Sequence, residues 1–267
     1  MTLHNKTAVI YGAGGSLGSA VAIALAKAGA HVFLSGKNAG SVEQTAKAII
    51  MAGGKATTAI VDALDEKVVD NYLQQVQSAA GTIDISFNAI GIPVKQNVPL
   101  IDLSVDEFVQ PVTQTLQTQF ITARAIAKIM KQQQSGVILS LTATPGGIGY
   151  PYTAGFATAC CALESFSKNL AAELGIYGIR VVNIRSGGSP DSRVFKEAAE
   201  EQPAIMKTVL DKMKDDTMLK TLPLMQDIAN TAVFLSSDMA AKITGTTIDL
   251  TCGTTAGLNY RATLGHL

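Results

Sequence analysis

The chain has 267 residues, 47% hydrophobic and 16% charged, with 21 basic and 21 acidic side chains. That length and apolar content suit one α/β domain over residues 1–267. Zero net charge without a basic stripe leaves nucleic acid and membrane surfaces no electrostatic footprint. No segment has the roughly 18 apolar residues of a membrane span, and the start MTLHNKTAVIYG lacks the charged-then-apolar form of a signal peptide. Cys160, Cys161 and Cys252 have neither metal-ligand spacing nor a disulfide pattern. A cytoplasmic protein without a metal is the expectation.

In chain order, short β-branched runs predict buried strands at residues 7–11, 31–35, 56–61, 83–88, 137–141, 180–184 and 247–250. Helix-length segments alternate with them at 17–28, 42–52, 65–80, 105–133, 155–174 and 228–236. This rhythm predicts a doubly wound Rossmann fold, a parallel sheet of about seven strands with helices on both faces. Residues 187–222 break it with a charged, Met-containing helical stretch, placed where such folds carry a lid over the ligand crevice.

The first strand runs into Tyr11-Gly12-Ala13-Gly14-Gly15-Ser16-Leu17-Gly18 and then a helix. Glycines there let the backbone turn tightly against a pyrophosphate, and the helix start offers it unpaired N–H groups. The spacing G-x-G-x-x-G fails, since its third Gly falls on Leu17. A connector that only packs the helix on the sheet is the alternative. The second strand ends Leu34-Ser35-Gly36-Lys37-Asn38, with no acidic residue for the adenosine ribose hydroxyls. Lys37 is placed to meet a 2′-phosphate, with Ser35 and Asn38 as added hydrogen-bond groups; a solvated lysine is the other reading. Asp62-Ala63 ends the third strand, and Asn88-Ala89-Ile90-Gly91 the fourth.

Together these stretches resemble the short-chain dehydrogenase/reductase family. The glycine loop is similar to its T-G-x-x-x-G-x-G, with Tyr11 for Thr and Ser16 for the middle Gly; Asp62 matches its D-[VL] element, and Asn88 to Gly91 its N-N-A-G. Ile243-Thr244-Gly245 leads into a strand like the family's last, and the likeness runs from Lys6 to about Gly253. The resemblance implies a nicotinamide dinucleotide, NADP(H) in preference to NAD(H), held by Gly12, Gly15, Ser16, Leu17, Gly18, Ser35, Lys37, Asp62, Ala63, Asn88, Ala89, Gly91, Ser186 and Gly187. Asp62 is read as an acceptor for the adenine amine, Asn88 and Gly91 as bracing or contact, and Ser186-Gly187 as the family's P-G loop.

The family's catalytic groups are a Ser, a Tyr thirteen residues later, a Lys four after that, and an Asn on the preceding helix. Matching ALESFSKNLAAEL to the usual continuation puts Ala143, Phe156 and Cys160 at the first three positions, and FITARA puts Thr115 at the Asn. Tyr152, four residues before Phe156, is the candidate replacement proton donor; Tyr150 and Lys95 are lesser ones. Thr142 alternates to the other face of its strand. His4, His31 and His266 fall far from the nicotinamide end. Cys160, without a base or cation, reads as a packed small residue.

Two functions are expected from this. One is an NADP-dependent oxidoreductase acting on a small carbonyl, alcohol or activated C=C substrate through a non-standard proton path. The other is a catalytically inactive dinucleotide-binding homologue, a sensor or assembly partner. The helices at 105–133 and 155–174, rich in small residues, are expected to pair across a two-fold in a homotetramer or homodimer.

Overall fold

A single sheet of seven parallel strands carries the helices on its two faces. The structure is a computed structural model that describes residues 2–257. Strands β1 (Thr7–Tyr11), β2 (His31–Gly36), β3 (Lys55–Ile60), β4 (Ile85–Asn88), β5 (Gly136–Ala143), β6 (Ile179–Ser186) and β7 (Thr246–Leu250) lie in the order β3-β2-β1-β4-β5-β6-β7. The helices are α1 (Ser16–Lys27), α2 (Ala39–Met51), α3 (Glu66–Ala80), α4 (Val105–Gln133), α5 (Gly155–Leu174), α6 (Arg193–Glu201), α7 (Pro203–Asp215) and α8 (Met225–Ser236).

The run TAVIY is apolar at every position because it faces two cores. Ala8 and Ile10 pack with α1, α2 and α8 through Val21, Leu25, Val42, Ile49 and Ile228. Val9 and Tyr11 pack with α3 and α4 through Val69, Leu73, Ile126 and Met130. Alternate side chains of a strand point to opposite faces, so burial on both requires a continuous hydrophobic run.

Caps decide where the helices begin. Asn38 accepts from the Ser41 N–H, so α2 starts at Ala39, three residues before its amphipathic pattern shows. Ser104 and Glu107 bond reciprocally as a capping box for α4, and Leu224 N–H donates to Asp227 at 2.8 Å to start α8 early. Strands β5 and β6 are longer than predicted and pair over eight residues, from Gly136↔Ile179 to Ala143↔Ser186. The stretch after β6 holds α6 and α7, the latter bearing Lys207–Asp211 and Lys212–Asp216 pairs one turn apart.

From β1 the chain builds outward to β2 and β3; from β4 it builds the other way. At that reversal the loops after β1 and β4 diverge, and a crevice opens beyond the strand ends. Among the described residues no helix is long and apolar enough to cross a membrane.

Candidate active site

The crevice has a volume of about 860 Å³ and runs along the C-terminal ends of β2, β1, β4, β5 and β6. Gly12, Gly14, Gly15, Ser16 and Leu17 form one wall. Gly12 has φ +72, and a Cβ there would come within 2.9 Å of the Ala89 carbonyl. Gly18 is not in the wall; it lets α1 sit on the loop, since a Cβ would stand 2.3 Å from the Gly12 oxygen. The first turn of α1 has no acidic residue and no side-chain cap, so its free N–H groups and positive dipole end suit an anion.

At the outer end, Ser35, Gly36, Lys37, Asn38, Asp62 and Ala63 line the crevice. Lys37 pairs with Asp62 at 3.0 Å, and Asp62 also accepts from the Leu64 N–H. Partial burial works to raise the Asp62 carboxyl, but the Leu64 N–H and the Lys37 ammonium outweigh it and hold the group below its ordinary value. Ser35, though in the lining, is fully buried; its hydroxyl donates to the Ile10 carbonyl and braces β1 against β2. The side-chain Oδ1 of Asn38 is likewise engaged, accepting from the Ser41 N–H in the α2 cap. Ala89, Ile90 and Gly91 form the edge above β4. Asn88 lies beneath, donating to Thr122 at 2.9 Å and accepting from the Ile90 N–H, so it braces the loop.

The inner end gathers Leu141, Thr142 and Ala143 from β5, Phe156 from α5, Gln114 and Thr118 from α4, and Ser186, Gly188 and Ser189 after β6. Ala143 and Phe156 thus line the same end of the crevice, as the family resemblance implies. Cys160 is not in the wall: it is buried, and burial pushes its thiol up to about 11. Thr115 is also absent from it. The rotation of α4 presents Gln114 and Thr118, one turn apart, and carries Thr115 around the helix. Gly187 packs on Thr251, and Gly188 takes its place in the wall.

The structure does not bring Tyr152 to this wall. Its backbone is left-handed at φ +61 and its side chain is 55% exposed, outside the crevice lining. Tyr150 also lies outside the lining; burial and the nearby Asp216 raise its phenol. Lys95, read as a cation above the crevice, is engaged with Glu107 at 2.6 Å. His31 bonds Thr57 and His4 packs beside Gly29, while His266 lies outside the described residues.

A buried polar network below the inner end escaped the sequence reading. Arg185 on β6 reaches Glu164 on α5 and Asp249 on β7, the latter at 2.8 Å. Thr142 donates to Glu164 at 2.9 Å and accepts from Asn183 at 2.7 Å, so its hydroxyl is turned away from the crevice, as alternation predicts.

Two further observations bear on what the crevice holds. Ser186 and Ser189 are buried, and their hydroxyls have no hydrogen-bond partner among the described residues. Buried polar groups are rarely left unpaired, and these two line the same space as the glycine loop. A dinucleotide, with a diphosphate at the loop and polar groups at both ends, fits this donor set.

Known proteins agree with the geometry. The family model described as Enoyl-(Acyl carrier protein) reductase matches residues 12–255. Levodione reductase of Leifsonia aquatica is 29% identical over 94% of this chain and 95% of its own. A 3alpha-hydroxysteroid dehydrogenase of Mediterraneibacter gnavus is 30% identical over 92% and 95%. The crystal structure of levodione reductase superposes with a TM-score of 0.88 at 27% identity, covering 96% of this chain and 99% of that one. Sheet order, glycine loop and near full-length similarity converge: the chain belongs to the short-chain dehydrogenase/reductase family of oxidoreductases.

Proposed function

We propose that the crevice binds NADP(H) in preference to NAD(H), and that the chain moves a hydride to or from a small carbonyl, alcohol or activated C=C substrate. The observation that carries the reading is one continuous crevice with a glycine loop, unpaired Ser186 and Ser189, and Lys37 at its outer end. Backbone N–H groups of residues 12–17 would face the diphosphate, and Lys37 the 2′-phosphate. Its exposed pair with Asp62 is worth about 0–1 kcal/mol, so a phosphate can capture Lys37 at small cost. The nicotinamide ring, when bound, supplies or accepts the hydride. Phe156, Leu141 and Ala143 give the inner end an apolar wall that excludes water.

The proton path differs from the family's. Ala143, Phe156, Cys160 and Thr115 stand where Ser, Tyr, Lys and Asn are expected, and a missing proton donor typically costs ~10²–10⁴ in rate. Gln114, Thr118, Ser186 and Ser189 are polar groups at the inner end. They can orient a substrate oxygen, but none is an acid, which favours a hydride acceptor needing little protonation, such as an activated C=C or an iminium. The same emptied wall favours a second reading, a dinucleotide-binding homologue without turnover. In either case residues 187–222 serve as the lid, and copies pair through α4 and α5. Val105, Val109 and Phe120 stand exposed on α4 for that contact, which light scattering would measure.

Titration with NADPH and NADH, followed by NADPH consumption on carbonyl, enone and imine panels, separates these readings. Turnover on any panel supports the first. Tight NADPH binding with no turnover supports the second, and binding of neither nucleotide overturns both.

A further inference from the structure

Among the described residues, the inner end of the crevice is built without charge. The charged side chains in the crevice lining are Lys37, Asp62 and Arg193. Lys37 and Asp62 pair with each other at the adenosine end. Arg193 opens α6, where its backbone N–H bonds Ser16 of the glycine loop, and its 64% exposed side chain lies 3.6 Å from Glu197 on the same helix. Behind the inner wall, Arg185 and Glu164 are engaged with each other. The surfaces that face this end are apolar: Leu141 and Ala143 from β5, Phe156 from α5, and Ile92 and Pro93 from the loop after β4. A carboxylate, phosphate or ammonium placed here would lose water without gaining a counterion.

One polar side chain at this end is both free to bond and open to the crevice. The Thr118 hydroxyl donates to the Thr115 carbonyl at 3.0 Å, and that of Thr142 to Glu164 at 2.9 Å. Ser186 and Ser189 are buried, where they suit the polar groups of the dinucleotide. Gln114 is half-buried in the lining, and its amide bonds to no other described residue. A primary amide offers N–H donors to an oxygen acceptor without carrying charge itself.

We infer that the substrate is an uncharged, largely apolar molecule with a carbonyl-type oxygen, and that the Gln114 amide determines specificity by holding that oxygen. The inference rests on the dinucleotide reading above and deepens it by naming the substrate class. Gln114 positions the substrate; it neither supplies nor removes a proton.

The test uses the full-length protein saturated with the oxidised nucleotide, so that no reduction runs during the titration. Two probes of matched size are benzylideneacetone, a neutral enone, and cinnamate, which carries a carboxylate where the enone has its acetyl group. Wild type should bind the enone at least ~10-fold more tightly than cinnamate by calorimetry. Gln114→Leu keeps the bulk and removes the amide. It should raise the enone Kd about 2- to 10-fold, the range of one neutral hydrogen bond, and leave the nucleotide Kd within about twofold. Gln114→Arg should reverse the preference, since a guanidinium gives cinnamate the partner it lacked. An unchanged thermal midpoint, expected for a half-buried side chain without partners, shows that both variants fold. Cinnamate binding wild type as tightly as the enone, or neither probe binding the nucleotide-loaded protein, overturns the substrate class while the dinucleotide reading stands. Gln114→Leu binding the enone like wild type overturns the role of Gln114. If wild type binds neither NADPH nor NADH, the dinucleotide reading falls as well.

Discussion

Arg185 and Glu164 face each other through two parallel hydrogen bonds, Nε to Oε1 at 2.9 Å and Nη2 to Oε2 at 2.5 Å. Glu164 lies one turn beyond Cys160 on α5, and Arg185 is paired in register with Thr142 on β5, so the bridge sits beneath the inner wall of the crevice. Both side chains are mostly buried, at 15% and 10% exposure. Such a pair holds its elements in register, and removing Glu164 takes two charged hydrogen bonds from a mostly buried guanidinium, leaving it Asp249 alone. Glu164→Ala should therefore destabilise by about 3 kcal/mol in urea unfolding, while the double change Glu164→Leu with Arg185→Met should recover most of it. A single-variant loss below about 1 kcal/mol would show the bridge to be dispensable.

Asp249, the third member, gives the network a pH signature. Burial works to raise its carboxyl, but hydrogen bonds from Thr251, Thr255 and Arg185 outweigh it and hold the group below its ordinary value. A carboxyl depressed by folding contributes stability above its unfolded pKa, about 3.9, and loses it as pH falls through the lower folded value. Asp249→Asn should thus be less stable than wild type at neutral pH, and the gap should close as pH drops below about 4. A gap that stays constant from pH 7 to 3 would mean Asp249 contributes by shape alone.

The cysteines should label in an order set by burial. Cys161 is exposed, whereas Cys160 is buried and its thiol is pushed up to about 11. The thiolate is the reactive form, so iodoacetamide at pH 8 should modify Cys161 in the folded protein and reach Cys160 only after denaturation. Peptide mass mapping reads the result. Rapid labelling of native Cys160 would contradict the packed placement.

Lys37 should govern the choice of nucleotide. Lys37→Ala removes the cation nearest the expected 2′-phosphate without touching the core, since the side chain is 64% exposed. NADPH affinity should fall on the order of tenfold, the value of one charged hydrogen bond, with NADH affinity changed less than twofold. Equal losses for both nucleotides would place Lys37 elsewhere.

Tyr152 supplies the sharpest test of the proton path. Its exposed ring outside the crevice leads us to expect Tyr152→Phe to retain turnover on any substrate the wild type reduces. Abolished turnover with intact NADPH binding would instead require the loop around Tyr152 to move inward when substrate binds.

Much of this molecule is local pattern. The strand TAVIY, the alternating helices and the glycine loop were legible because each depends on neighbours within a few residues. The meeting of Ala143 and Phe156 was legible for a different reason, the resemblance that sets them at the family's Ser and Tyr positions. What the residues alone left open was decided by packing between distant segments. The rotation of α4 chose Gln114 and Thr118 over Thr115 for the crevice wall. Ser35 was turned into the sheet by the Ile10 carbonyl. Arg185 found partners 21 and 64 residues away, and Arg193 found Ser16 177 residues away. A side chain's type and period follow from the sequence, but its partner depends on which elements the sheet order places side by side.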